Sequence, residues 1–157
     1  MAERVPGLPQ LDKHEVARAF GRAAPHYDAH AVLQHEIAAR LAERLALFRF
    51  APDRIVDMGC GTGAGLSHLG QAYPDAELLA LDMALPMLHT ARSRLAPQKG
   101  LIARALRRLN PGALPDTRHL CADMEQLPLK TSSQSMIWSS LALQWASDTE
   151  ACLREWH

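Results

Sequence analysis

The stretch Arg54-Ile55-Val56-Asp57-Met58-Gly59-Cys60-Gly61-Thr62-Gly63 decides the fold. Its first half is a short apolar run of the kind that makes a buried strand. Its second half carries glycine at alternate positions, which permits positive φ and brings main-chain N–H groups up to a ligand with no Cβ in the way. Downstream, Leu66, Leu69, Gly70 and Tyr73 recur at helical spacing, Pro74-Asp75 breaks the pattern, and Glu77-Leu78-Leu79-Ala80-Leu81-Asp82-Met83 reads as a second largely apolar strand. This is a β-α-β unit, the opening of a Rossmann-like α/β domain. Third and fourth strands are expected at residues 118–123 and 135–140, the third again ending in an acid, Asp123.

The loop admits three readings. A phosphate-cradling Walker loop ends in Gly-Lys-Ser/Thr, and Gly63-Ala64-Gly65-Leu66 has no lysine, which removes that reading. A dinucleotide fingerprint, G-x-G-x-x-G/A, is matched formally by Gly59, Gly61 and Ala64. Asp57 weighs against it, because a carboxylate at the strand end repels a pyrophosphate and suits a cation. S-adenosylmethionine carries a sulfonium and an α-ammonium and no phosphate, so it fits this acid where NAD does not. Asp82 follows Gly63 by 19 residues and ends the second strand, where a carboxylate accepts from ribose hydroxyls. Either cofactor would use it.

The string from Val56 to Gly63, the acid Asp82, the turn Asp123-Met124-Glu125-Gln126-Leu127-Pro128 and the segment Ser139-Ser140-Leu141-Ala142-Leu143-Gln144-Trp145 together resemble the class I S-adenosylmethionine-dependent methyltransferases. The resemblance runs from about Lys13 to the end. Within that superfamily, Ala19-Phe20-Gly21-Arg22-Ala23-Ala24-Pro25-His26-Tyr27-Asp28 and the Leu141–Trp145 string look most like the malonyl-acyl-carrier-protein O-methyltransferases of biotin synthesis. The resemblance implies S-adenosyl-L-methionine as cofactor, held by Asp57, Gly59, Gly61, Gly63, Asp82, Met83, Asp123 and Met124. Asp123 would accept from the adenine amine, and Met83 and Met124 would pack on the ring faces. Tyr27, Ser140, Gln144 and Trp145 are the substrate-side candidates. It further implies a malonyl thioester as acceptor, malonyl-acyl-carrier protein or malonyl-CoA. A methyltransferase for a quinone precursor or small acid, or a noncatalytic methyltransferase-like accessory protein, are the other readings.

Such a sheet has seven strands in the family, whereas this chain of 157 residues stops inside an amphipathic pattern, Glu150–His157, with no glycine cap or proline stop. The reading therefore expects a domain truncated after the fourth strand and its helix. Residues 1–50 would be an N-terminal helical lid segment and residues 51–157 the cofactor-binding α/β domain. Missing strands would leave an unpaired edge and uncovered apolar surface, hence a tendency to associate.

In the N-terminal segment, Leu33, Ile37, Leu41, Leu45 and Phe48 recur at three or four residues and mark one helix face to pack on the sheet. A shorter helix is expected over about Lys13–Arg22, with Ala24–Asp28 as the link between the two. The stretch Ala96–Thr117 holds Pro97, Gly100, Pro111, Gly112 and Pro115 around a helical piece with Arg104, Arg107 and Arg108, which read as a solvated face or as a docking patch for an acidic carrier protein.

Composition narrows the classes. Formal net charge is zero and hydrophobic residues make up 48%, with no apolar run near the roughly 20 residues a membrane span needs, so neither a nucleic-acid nor a membrane partner is expected. Met1–Gln10 has no apolar core of a signal peptide, and Cys60, Cys121 and Cys152 lack CxxC spacing, which fits reduced thiols and a cytoplasmic location. His26, His30 and His35 form no zinc-like set and read as surface residues. Ser139-Ser140 lacks the G-x-S-x-G elbow of a hydrolase. Methyl transfer to a carboxylate needs no general base, since the acceptor is ionised near neutral pH, so neither a metal nor an acid–base catalyst is expected.

Overall fold

The structure, a computed structural model, describes residues 11–95 and 117–157. The Ala96–Thr117 stretch, with Arg104, Arg107 and Arg108, lies outside the described residues except for Thr117. Strands β1 (Arg54–Met58), β2 (Glu77–Asp82), β3 (Thr117–Cys121) and β4 (Met136–Trp138) form one sheet in the order β3-β2-β1-β4, with every pairing parallel. The expected α/β architecture and all four strands are present.

Ile55, Val56, Asp57 and Met58 are all buried, as a central parallel strand covered on both faces requires. Alternate residues feed two cores. Ile55 joins Leu66, Leu69, Leu78 and Trp138 on one face, while Val56, Met58 and Leu81 meet Leu120, Ile137 and Trp156 on the other. Helix α4 (Ala64–Ala72) covers the first face. At nine residues it is too short to persist alone, and burial of Leu66 and Leu69, worth about 1.5–3 kcal/mol each, holds it in place.

The N-terminal part folds as α1 (Lys13–Ala23), α2 (Tyr27–His30) and α3 (Val32–Glu43), followed by a 3-10 turn over Arg44–Leu47. The Asp12 carboxylate caps α1, accepting from His14 N at 2.9 Å and Glu15 N at 3.2 Å. Two expectations are corrected here. Tyr27 opens a short helix of its own rather than lying in a link. The long apolar face also breaks up: α3 ends at Glu43, Leu33 is 64% and Phe48 56% exposed, and Ala38 and Leu45 are the buried residues. The main neighbour of α3 is α4, not the sheet. Within α3 it is the small Ala38 that is buried, in place of the larger side chains that were expected to be.

Helix α5 (Leu85–Leu95) had no counterpart in the sequence reading. Pro86 looks like a breaker, yet it occupies the first turn, where its missing N–H removes no helical bond. Met87, Leu88 and Ala91 bury its inner face. Helix α6 (Thr149–Trp156) starts at Asp148, whose side chain accepts from Ala151 N at 2.9 Å, and delivers Trp156 to the second core. Among the described residues no helix is long and apolar enough to cross a membrane.

Candidate functional site

The strand order places the site. The chain runs outward from β1 to β2 to β3 and then returns to pair β4 with the other edge of β1, so the carboxyl ends of β1 and β4 flank a topological switch point. A cavity of about 350 Å³ opens there, within the range of small-molecule sites. Asp57, Gly59, Gly61, Asp82, Met83, Met124, Tyr27, Ser140, Gln144 and Trp145 all line it. Gly63 and Asp123 do not.

The glycine loop is built differently from the expectation that its amides face a ligand. Gly59 N and Cys60 N donate to Leu81 O at 2.8 and 3.0 Å, Gly61 N donates to Asp82 Oδ2 at 2.9 Å, and Gly63 N donates to Cys60 O at 2.9 Å. The first three donors bind the loop to the end of β2, the fourth closes the loop on itself, and none of them is available to a pyrophosphate. Each glycine has a separate reason. Gly59, at φ 70°, faces Ala142 so closely that a Cβ would sit 2.3 Å from the alanine methyl. Gly61, at φ 54°, has open space where its Cβ would be, on the cavity side. Gly63, at φ 85°, begins α4 and packs on Ala91 of α5, 3.1 Å from where its Cβ would lie.

Beneath the loop lies an unsatisfied acid. Asp57 is 3% exposed and its Oδ2 has no hydrogen-bond partner, and Trp138 Nε1 is also buried without one. Both atoms stand against Gly65, where a Cβ would come within 2.8 Å of Asp57 Oδ2 and 2.9 Å of Trp138 Nε1. Burial, and then the charge of Asp82, pushes the Asp57 carboxyl up to about 7. Burial also raises Asp82, opposed by backbone N–H donors at Ala84, Gly61 and Met83. Two buried carboxyl groups facing one cavity make it hostile to an anion. They are relieved by a ligand that brings positive charge and N–H donors.

At the rim, α1 and α2 supply an aromatic wall. Phe20 meets Trp145 edge-on at 5.2 Å and stands 6.1 Å from Tyr27. Burial, then Asp82 and Asp28, raises the Tyr27 hydroxyl above its usual range, so it stays protonated. Leu141 lines the same side at φ 56°, an uncommon conformation for a residue with a Cβ and one found where a site dictates the backbone. Asp123 is held just outside: Lys13 Nζ donates to its Oδ2 at 2.6 Å and Glu125 N to its Oδ1 at 3.0 Å. Lys13 also pairs with Glu125 at 2.9 Å, which joins the start of α1 to the turn after β3.

His35 corrects another expectation. It lines the cavity with Gln34 and brings Nε2 to 3.3 Å from Asp28 Oδ1, whereas His26 and His30 are exposed as anticipated. Sequence reasoning also missed Phe20, Trp138 and Gly65 as cavity residues. The Gly63-x-Gly65 spacing was a usable signal for the last, since a helix-start glycine marks close approach. Burial and the neighbouring Asp57 and Asp82 charges push the Cys60 thiol up, which makes it a poor nucleophile. Among the described residues no group of three or more His, Cys, Asp or Glu is placed to hold a metal ion.

Comparison with known proteins agrees with this geometry. Residues 56–157 match the Methyltransf_11 family, described as a methyltransferase domain. The malonyl-[acyl-carrier protein] O-methyltransferase of Laribacter hongkongensis (strain HLHK9) is 47% identical over 146 residues, which cover 93% of this chain and 46% of that protein. The protein of the same name from Nitrosospira multiformis is 42% identical over 148 residues, covering 92% and 47%. The chain thus spans about half the length of the curated relatives it matches. Among solved structures, one from the complex of the Haloferax volcanii Trm112 methyltransferase activator with a methyltransferase aligns with a TM-score of 0.65 at 25% identity, covering 87% of this chain and 53% of that one.

Proposed function

The chain belongs to the methyltransferase-domain family, and from that premise we propose that it binds S-adenosyl-L-methionine and serves methyl transfer to the free carboxylate of a malonyl thioester in biotin synthesis. Malonyl-acyl-carrier protein is the preferred acceptor and malonyl-CoA its smaller analogue. The observation that carries the cofactor is the buried Asp57 carboxylate with one unpartnered oxygen, facing the same cavity as Asp82. The acceptor is supported by the names of the relatives at 47% and 42% identity.

When bound, S-adenosylmethionine supplies an electrophilic methyl group. In this reading Asp57 and Asp82 meet the ammonium and ribose hydroxyls, Gly59 and Gly61 leave room for the ligand beside the loop, and Met83 and Met124 flank the adenine. Asp123 takes the adenine amine by turning one oxygen from its Lys13 pair. Gly63 acts indirectly, by letting α5 close against the loop. Residues 1–50 act as the lid and residues 51–157 as the cofactor domain.

The acceptor carboxylate is ionised already, so the remaining task is alignment. Tyr27, Ser140, Gln144 and Trp145 surround the space where the acceptor would lie, and the Phe20–Trp145 contact excludes water from it. Holding two reactants in line in this way is worth about 7–11 kcal/mol of barrier. A dry site also favours a transition state in which opposite charges merge.

Calorimetric titration with S-adenosylhomocysteine and with NAD tests the cofactor. Binding of the first alone is expected, and binding of NAD alone would overturn the assignment. A transfer assay offering malonyl-carrier protein, malonyl-CoA and a quinone precursor tests the acceptor. Methylation of the quinone precursor only would transfer the protein to another branch of the family.

A further inference from the structure

One carboxylate outside the cavity ties two separate elements together and stands beside a third. Thr62 Oγ1 donates to Asp28 Oδ1 at 2.6 Å, the guanidinium of Arg94 on α5 donates to Asp28 Oδ2, and His35 Nε2 of α3 stands 3.3 Å from Oδ1. Thr62 is 2% exposed and sits between Gly61 at φ 54° and Gly63 at φ 85°. A loop flanked by two glycines in the left-handed region has many alternative shapes, because glycine visits both signs of φ with little penalty. The Gly59, Cys60 and Gly61 amides tie it to β2, and among the described residues its side-chain anchor to the N-terminal segment is Thr62, held by Asp28.

We propose that Asp28 is a positioning residue for the glycine loop: through Thr62 it holds the loop in its ligand-receiving shape and couples that shape to closure of the N-terminal segment. Tyr27, its neighbour in α2, lines the cavity, so seating one short helix delivers both an aromatic wall and a loop anchor. Arg94 pairs with the other oxygen of this carboxylate, which is about a third exposed, and so fixes its orientation toward Thr62. Asp28 itself does not line the cavity, and it acts on any ligand only by way of Thr62.

The inference deepens the methyl-transfer reading and rests on it only for the choice of ligand. Four variants test it: Thr62→Val, which keeps the shape and removes the donor, Thr62→Ser, which restores the donor, Asp28→Asn, and the Asp28→Asn/Thr62→Val double. Hydrogen exchange at the Gly61 and Gly63 amides is expected to quicken about tenfold in Thr62→Val and in Asp28→Asn, no further in the double, and to stay within about twofold of the parent in Thr62→Ser. The dissociation constant for S-adenosylhomocysteine should move in parallel, by about tenfold. Unchanged exchange in Thr62→Val, or effects that multiply in the double, would overturn the proposal, as would a parent that binds S-adenosylhomocysteine measurably but no better than Thr62→Val does. Loosened loop amides with no binding by the parent would sustain the positioning role and remove the cofactor reading instead. If Thr62→Val does not fold, Arg94→Gln reports the same linkage from its more exposed side, with exchange quickened about threefold, and no change there overturns it equally.

Discussion

Replacing Asp57 by Asn is expected to stabilise the fold at alkaline pH and to weaken the ligand site at the same time. The carboxyl is held at about 7 against an ordinary 3.8, by burial first and the Asp82 charge second. At about 1.36 kcal/mol per pH unit, keeping it ionised at pH 8 in the folded chain is about 4 kcal/mol less favourable than in the unfolded chain. The sign follows from proton binding. Between about pH 4 and pH 7 the folded chain retains a proton that the unfolded chain has released, so stability falls as pH rises through that window and levels off above it. Asn has no charge to hide. The variant should therefore match the parent near pH 4 and exceed it by roughly 2–4 kcal/mol near pH 8, the lower figure allowing for an amide N–H left to find a partner beside Trp138. Asp82, also raised by burial, leaves both proteins a common residual slope. Urea unfolding at several pH values from about 4 to 8 reads the difference directly. Parallel curves for the two proteins, or a variant less stable at pH 8, would refute the picture of Asp57 as an uncompensated acid. A cationic ligand should draw the carboxyl back to its ionised form, so parent affinity should rise about tenfold per unit as pH increases toward 7 and level off above it, and the variant's should not.

Gly59→Ala and Gly61→Ala separate packing from backbone conformation. The first meets Ala142 at 2.3 Å and is expected to lose more than about 3 kcal/mol, whereas the second has open space and should lose only the left-handed penalty of about 1–2 kcal/mol, both by urea midpoint. Lys13→Ala removes the pair to Asp123 and Glu125, which is partly exposed, so a change under about 1 kcal/mol that disappears in about 1 M salt is expected from thermal melts. Alkylation of the native chain followed by mass spectrometry should modify exposed Cys121 first, since Cys60 and Cys152 are buried and burial raises both of their thiols.

The parts of the fold that were legible were those in which a local pattern carries the whole cause. The run Arg54-Ile55-Val56-Asp57-Met58 shows no alternation of polar and apolar residues, which is the pattern of a strand covered on both faces at the centre of a parallel sheet, and its one inner acid marks the site. The α4 stripe and the amphipathic pattern at Glu150–His157 were equally local. The failures have the opposite character. Whether the apolar face from Leu33 to Phe48 meets the sheet or a helix depends on where α4 lies, and α4 is placed by contacts far away in the chain. Helix α5 was missed for a simpler reason: a proline such as Pro86 begins a helix or breaks one according to the turn it occupies, and the sequence does not number the turns.

The candidate site shows the same division more sharply. Acids at strand ends are visible in one dimension, so Asp57 and Asp82 were identified from their positions after apolar runs. The atoms that decide what those acids do are distant in sequence: Trp138 lies 81 residues from Asp57, Asp28 lies 34 residues from Thr62, and Lys13 lies 110 residues from Asp123. The glycine spacing alone left NAD and S-adenosylmethionine both open. What separates them in the structure is the use of the loop's amides. A pyrophosphate site needs N–H groups aimed outward, whereas Gly59, Cys60, Gly61 and Gly63 spend theirs on Leu81, Asp82 and Cys60, and the groups left facing the cavity are carboxylates. A loop with its donors turned inward and its acids turned outward selects for positive charge, whatever its glycine pattern permits.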